Sequence, residues 1–175
     1  NHMHLAFTGN GKGKTTAAIG NALRIIGANK RALMVQFIKG PWVSGEDKST
    51  ERLGPDFRII KSGKGFVGIL GDTLPIEVHQ KAAEEGLNVA KKEIAGGSWH
   101  LLILDEVHNA IALGLLSQTV VIAFLDYAKS KVEHIITTGR NAPKEIIDYA
   151  DLVTEMKEIK HPYQTGRFAE KGLDF

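Results

Sequence analysis

Two short stretches of this chain have residue types at spacings that can do chemistry. The first is Gly9-Asn10-Gly11-Lys12-Gly13-Lys14-Thr15-Thr16, which follows an apolar run ending at Thr8 and opens a stretch of helical period. Glycines let a loop turn its N–H groups toward an anion without Cβ interference, and a helix N-terminus behind them adds about half a positive charge. Lys14 can then reach phosphate oxygens, while the Thr15 hydroxyl can ligate Mg²⁺. The spacing fits the phosphate-loop pattern G-x-x-x-x-G-K-[ST] except at its first position, where Thr8 stands in place of glycine. The second stretch is Leu101-Leu102-Ile103-Leu104-Asp105-Glu106, an apolar run that delivers two carboxylates at its end. Asp105 can hold Mg²⁺ through water, and Glu106 can bind metal directly or act as a base. Together they describe a polyphosphate site.

Such groups need a sheet and a helix to position them. Residues 4–8, 31–37, 56–61, 99–105, 132–137 and 151–156 read as short strands, and stretches of helical period alternate with them. A helix is expected over 15–26, closed by Gly27. A longer one enters at Pro75 and stops at Gly96-Gly97, another is capped by Ser117, and a short one follows Asn141-Ala142-Pro143 with Asn141 as its cap. Residues 40–55 and 62–74, rich in Gly, Pro and polar side chains, read as long functional loops. The alternation predicts an α/β fold: an open, mostly parallel sheet of about six strands with helices on both faces, in a P-loop NTPase (RecA-like) architecture. Residues 1–175 suit one nucleotide-binding domain, and the opening Asn1-His2-Met3 reads as a cloning remnant.

Composition excludes several classes. With 43% apolar and 24% charged residues the chain can bury a core, so a disordered tail or a fibre is ruled out. The absence of cysteine removes disulfides, thiol catalysis and Cys-containing metal sites. His100, His108, His134 and His161 lack the spacing of a metal cluster. Residues 1–64 hold eleven of the 22 Lys and Arg but only four of the 20 Asp and Glu. Positive charge gathered around glycines suits a small polyphosphate better than a nucleic-acid track. The uncharged stretch between Glu106 and Asp126 contains His108, Asn109, Ser117, Gln118 and Thr119, so two soluble elements are expected there rather than a membrane span. The start shows no secretory leader pattern, and a cytoplasmic location is expected.

Several stretches taken together carry a family likeness. Residues 8–18, Val35-Gln36-Phe37-Ile38-Lys39-Gly40, Leu104-Asp105-Glu106, Thr138-Gly139-Arg140, and Val153-Thr154-Glu155-Met156-Lys157 with Lys160-His161-Pro162 resemble the P-loop ATP:corrinoid adenosyltransferases. The resemblance spans nearly the whole chain. It implies that a reduced Co(I) corrinoid attacks C5′ of ATP and expels triphosphate, with no phosphoryl group moved. It further implies ATP and a corrinoid as substrates, Mg²⁺ (or Mn²⁺) as the metal, a homodimer, and a cobalt-reducing partner protein, with no nucleic acid or membrane involved. Carried onto this sequence, it assigns catalysis to Lys14, Glu106 and Arg140. Gly9, Asn10, Gly11, Lys12, Gly13, Lys14, Thr15, Thr16 and Arg24 are assigned to the nucleotide, Phe66 to the corrinoid, and Thr15, Asp105 and Glu106 to the metal. Two departures concern the corrinoid side. Better-known members have Trp two residues after the Phe where this chain has Gly68, for which Trp42 is the candidate replacement. Longer relatives carry a covering segment before the first strand, so cover is expected to come from elsewhere or to be incomplete.

Two other functions remain open on the residues alone. Asp105-Glu106-Val107-His108 also spells the DExH pattern of nucleic-acid-dependent motors, although such motors close two domains around ATP. A non-catalytic sensor, ordered by ATP, would carry the same phosphate loop.

Overall fold

Apolar runs bounded by glycine and polar turns become six strands in the computed structural model, which describes residues 1–175. They are β1 (Met3–Thr8), β2 (Ala32–Gln36), β3 (Phe57–Lys61), β4 (Leu101–Asp105), β5 (His134–Thr138) and β6 (Leu152–Glu155). All pairings are parallel, in the order β3-β2-β4-β5-β1-β6. Every expected strand is present, its ends moved by at most two residues. Met3, expected to be foreign, already pairs with His134.

The helices are α1 (Lys14–Gly27), α2 (Gly45–Leu53), α3 (Ile76–Ala95), α4 (Val107–Ala112), α5 (Gln118–Ala128) and α6 (Lys144–Tyr149). Side chains of a strand alternate between faces. On β2, Ala32 and Met34 join one core while Leu33 and Val35 join the other; on β4, Leu101 and Ile103 divide from Leu102 and Leu104 in the same way. The first core is covered by α1 through the fully buried Ala18 and Ala22, small enough to let the helix lie close to the sheet. The second takes Leu87, Ala90 and Ile94 of α3, Val121 and Leu125 of α5, and Ile146 of α6. Helices therefore cover both faces, and the central strands read as unbroken apolar runs because both of their sides are buried. Truncating a residue such as Leu104 to Ala would cost about 2–5 kcal/mol.

Local signals set most helix ends. Ser117 Oγ accepts from Val120 N at 3.2 Å at the start of α5, and α3 begins after Pro75 and stops at Gly96. Two expectations fail. Residues 40–55 are not all loop, because Ser44 and Asp47 form a capping box that nucleates α2, with Asp47 Oδ2 accepting from Ser44 N at 2.7 Å. That helix buries none of its residues, so no apolar stripe announces it. Nor does Asn141 cap α6: it sits at φ 55° with Pro143 at the cap position, which leaves its side chain two residues too far back to reach the first free N–H groups.

The register puts the chemistry on one rim. Gln36 lies beside Asp105, Phe7 beside Thr138, and Thr8 beside Glu155, all at the C-terminal ends of their strands. Open parallel sheets bind ligands at that edge. Because β5 separates β1 from β4, the glycine loop and the two carboxylates leave the sheet two strand spacings apart, roughly 9–10 Å. No helix is long and apolar enough to cross a membrane.

Candidate active site

The glycine loop joins β1 to α1 and is braced from outside. Gly9 and Gly13 take φ of 98° and 122°, open to glycine and strained for other residues. Gly11 N donates to Met156 O at 2.7 Å, and a Cβ on Gly11 would stand 2.7 Å from the same oxygen. Gly9 approaches Met156 more closely still. Lys14 Nζ donates to Gly11 O at 2.7 Å, so the ammonium folds back over the loop. Burial and the nearby Arg140 charge push the Lys14 pKa down, against the pull of Glu106 and Asp105. Two cations lining one cleft favour an anion between them.

Asp105 lies fully buried at the end of β4. Its Oδ1 accepts from Thr15 Oγ1 at 2.8 Å and Thr138 Oγ1 at 2.7 Å, and its Oδ2 accepts from Gln36 Nε2 at 3.2 Å. Burial raises its pKa, and these three donors work in the opposite direction. Thr138 Oγ1 also accepts from Glu106 N at 2.9 Å, tying both acids to β5. Glu106 adopts left-handed φ 60°, ψ 21°, a conformation that costs a non-glycine residue energy and recurs at functional sites. Burial first, and then the Asp105 charge, push its carboxyl up to about 7.

A cleft of about 1060 Å³ opens over these groups, at the large end of ligand sites. Its lining includes Lys12, Lys14, Thr15, Glu106 and Arg140, and also Phe66, Val67 and Ile69. Phe66 is 48% exposed, which excludes it from the core. Its loop is pinned by Asp72, which accepts from Gly68 N at 2.8 Å and Leu74 N at 3.0 Å and pairs with His79 Nε2 at 2.9 Å. Trp42 does not join the lining. It packs against Gly40 and Gly65, where a Cβ would meet its ring at 2.8 and 2.9 Å, which anchors it beside the Phe66 loop, and the residue is 64% exposed.

The structure thus brings Lys12, Gly13, Lys14, Thr15, Thr16, Phe66, Glu106 and Arg140 to one cleft. Asp105 lies beneath it, and Gly9 and Gly11 form the back of the loop. Asn10 is exposed, and Arg24 is exposed on α1 outside the lining. Several contributors carry no sequence assignment. Gln36 bridges toward Asp105, Lys39 pairs with Glu46 of α2, and Asn109 Oδ1 accepts from Arg140 N at 3.0 Å to fix the turn after β5. The family-like run Val35-Gln36-Phe37-Ile38-Lys39-Gly40 was the available signal for Gln36 and Lys39, though neither was given a role; Asn109 had none.

The oxygen donors suit Mg²⁺. Thr15, Asp105 and Glu106 offer one hydroxyl and two carboxylates with no nitrogen or sulfur, and no group of three His, Cys, Asp or Glu forms a closed cage. Few protein ligands, supplemented by substrate phosphates and water, is how Mg²⁺ is usually held.

Known proteins are similar to this chain over most of its length. The family described as ATP:corrinoid adenosyltransferase BtuR/CobO/CobP matches residues 1–175. Corrinoid adenosyltransferase of Escherichia coli (strain K12) is 36% identical over 171 residues, covering 98% of this chain and 84% of that protein. Corrinoid adenosyltransferase CobA of Salmonella typhimurium is 35% identical over 171 residues, with the same 98% and 84% coverage. A corrinoid adenosyltransferase of Sinorhizobium sp is 36% identical over 170 residues, 96% of this chain and 78% of its own.

Proposed function

The chain belongs to the ATP:corrinoid adenosyltransferase family, and on that premise we propose that it transfers the 5′-deoxyadenosyl group of ATP to the cobalt of a reduced Co(I) corrinoid. The cobalt electron pair forms the Co–C5′ bond, the C5′–O bond breaks, and that bonding pair leaves on triphosphate as cobalt becomes formally Co(III). Because cobalt is the nucleophile, no side-chain base is needed. Catalysis falls to positioning and to stabilising the charge of the leaving group.

The loop N–H groups and Lys14 take the triphosphate, with Lys14 exchanging its contact to Gly11 O for a phosphate oxygen. Arg140, its backbone held by Asn109, adds a second cation. Thr15, Asp105 and Glu106 would hold Mg²⁺, or Mn²⁺ in its stead, which would supply further positive charge to the phosphates. Gly9, Asn10, Gly11, Lys12, Gly13 and Thr16 complete the nucleotide cradle; Arg24 is assigned to it on family likeness alone. Phe66 meets the macrocycle and keeps water from the Co(I) centre. The protein works as one domain, as a cytoplasmic homodimer, with electrons delivered to cobalt by a separate reductase.

The observation that carries this reading is the meeting, in one cleft, of cationic phosphate groups with exposed apolar side chains such as Phe66 and Ile69. A phosphate-hydrolysing motor needs the first and not the second. The test supplies ATP, Mg²⁺ and chemically reduced cobalamin without oxygen, follows formation of the light-sensitive alkylcobalamin by absorbance, and identifies the phosphate product by ³¹P NMR. Triphosphate is expected. ADP with phosphate would make the protein a motor, and no turnover would make it a sensor.

A further inference from the structure

The segment Glu170–Phe175 folds back onto the cleft from far along the chain. Gly172, Leu173, Asp174 and Phe175 all contribute to the lining. The turn is closed by Asp174, whose Oδ2 accepts from Glu170 N at 2.9 Å, and by Gly172 N donating to Phe175 O at 2.9 Å. Phe175 comes near the start of α2, where a Cβ on Gly45 would lie 3.7 Å from its carbonyl oxygen. What fastens the turn to the phosphate loop is an ion pair, Lys12 Nζ to Asp174 Oδ1 at 3.0 Å.

Two features of this segment call for a ligand. Leu173 and Phe175 are 66% and 52% exposed although they line a cleft that already presents Phe66 and Ile69. Large apolar side chains left in water around one cavity mark a surface that something apolar covers. The Lys12–Asp174 pair is solvent-exposed, and pairs of that kind hold weakly. A polyphosphate bearing several negative charges competes directly for Lys12.

Building on the adenosyl-transfer reading, we propose that Leu173 and Phe175 form, with Phe66, the seat of the corrinoid, and that Lys12–Asp174 is a latch which nucleotide releases. Triphosphate takes Lys12, Asp174 lets go, and the freed turn settles on the macrocycle. Segment 170–175 thereby supplies cover for the macrocycle.

The test compares the parent with a Leu173→Ala/Phe175→Ala double variant and with Asp174→Asn, all altered at exposed positions. The double variant should raise KM for cob(I)alamin about 10-fold, the scale for lost apolar contacts, and leave KM for ATP within about twofold. Asp174→Asn should lower KM for ATP without raising that for cob(I)alamin. Independently of turnover, hydrogen exchange of residues 170–175 should speed up with Mg-ATP alone and slow once cob(II)alamin is added. Unchanged cobalamin kinetics in the double variant, or exchange indifferent to cobalamin, would overturn the proposal while leaving the transferase reading intact. Protection by cobalamin in a parent that transfers no adenosyl group would support the seat and remove the reaction.

Discussion

The two sides of the cleft are built in opposite ways. Around Asp105, two hydroxyls and an amide converge on one carboxylate, Thr138 and Gln36 fixed by strand register and Thr15 by the first turn of α1, each bond 2.7 to 3.2 Å long. Around Phe66, the side chains are exposed, the backbone is loop, and the fastenings are a few hydrogen bonds to Asp72 and a weak ion pair at Lys12. The contrast follows from the ligands. A triphosphate is small and highly charged, and electrostatic stabilisation works only if the dipoles are in place before the charge develops. A corrinoid is broad and apolar, and its recognition by area tolerates a surface that closes after binding.

The sharpest break of this comparison is Lys14→Ala. Removing one preorganised charge should lower kcat/KM by about 10²–10³-fold with the melting temperature nearly unchanged, since Lys14 is not in either core. Near-parent turnover would mean that the phosphate side is no more committed than the other. Acid should weaken the same side next. His4, bonded to Thr137 at 2.9 Å, and His108, bonded to the Gly139 carbonyl at 3.2 Å, both brace β5, and burial lowers each pKa from 6.5 to about 4. Between those values the unfolded chain takes up protons that the folded one refuses. The histidine contribution is therefore full above pH 6.5 and falls as pH drops toward 4, by about 1.4 kcal/mol per unit for each at most, while the raised carboxyls of Glu106 and Asp105 contribute with the opposite sign. Urea midpoints should fall less, or rise more, toward acid in His108→Gln than in the parent, and identical pH profiles of the two would contradict the rigid picture.

Thr138→Val is a gentler probe. It keeps the shape but strips a donor from Asp105 and an acceptor from Glu106 N, so about 1–3 kcal/mol of stability should be lost in denaturant titration. Phe66→Ala should be the mildest for the fold, within about 0.5 kcal/mol, because an exposed side chain away from special features rarely matters more. Its effect should fall on KM for cobalamin and spare that for ATP. Equal loss in both would erase the distinction between the two sides.

What could be read in advance divides along the same line. Strands buried on both faces announce themselves as unbroken apolar runs, so β2, β4 and β5 were legible, as was the Gly-Lys-Thr spacing before α1. Gln36 was quoted and not assigned, because its importance depends on lying beside Asp105 in the register, a relation between strands 69 residues apart. The left-handed turn at Glu106 is invisible for a similar reason: Thr138 and the end of β5 impose it from outside. Helix α2 escaped because it has a cap and no buried stripe, and the packing of Trp42 over Gly40 and Gly65 depends on a loop contact that spacing does not reveal. The return of residues 170–175 has no local signature, since ion pairs on the surface leave no period in a sequence.

The contact of Met156 with the back of the glycine loop bears on how such loops are interpreted. Its carbonyl occupies the volume that side chains at positions 9 and 11 would need, whatever sits on the other side. A descendant that had abandoned nucleotides altogether would still be forbidden larger residues there, unless its last strand moved away as well. Small residues at those two places therefore testify to a crowded neighbour, and only Lys14 and Thr15 testify to a guest.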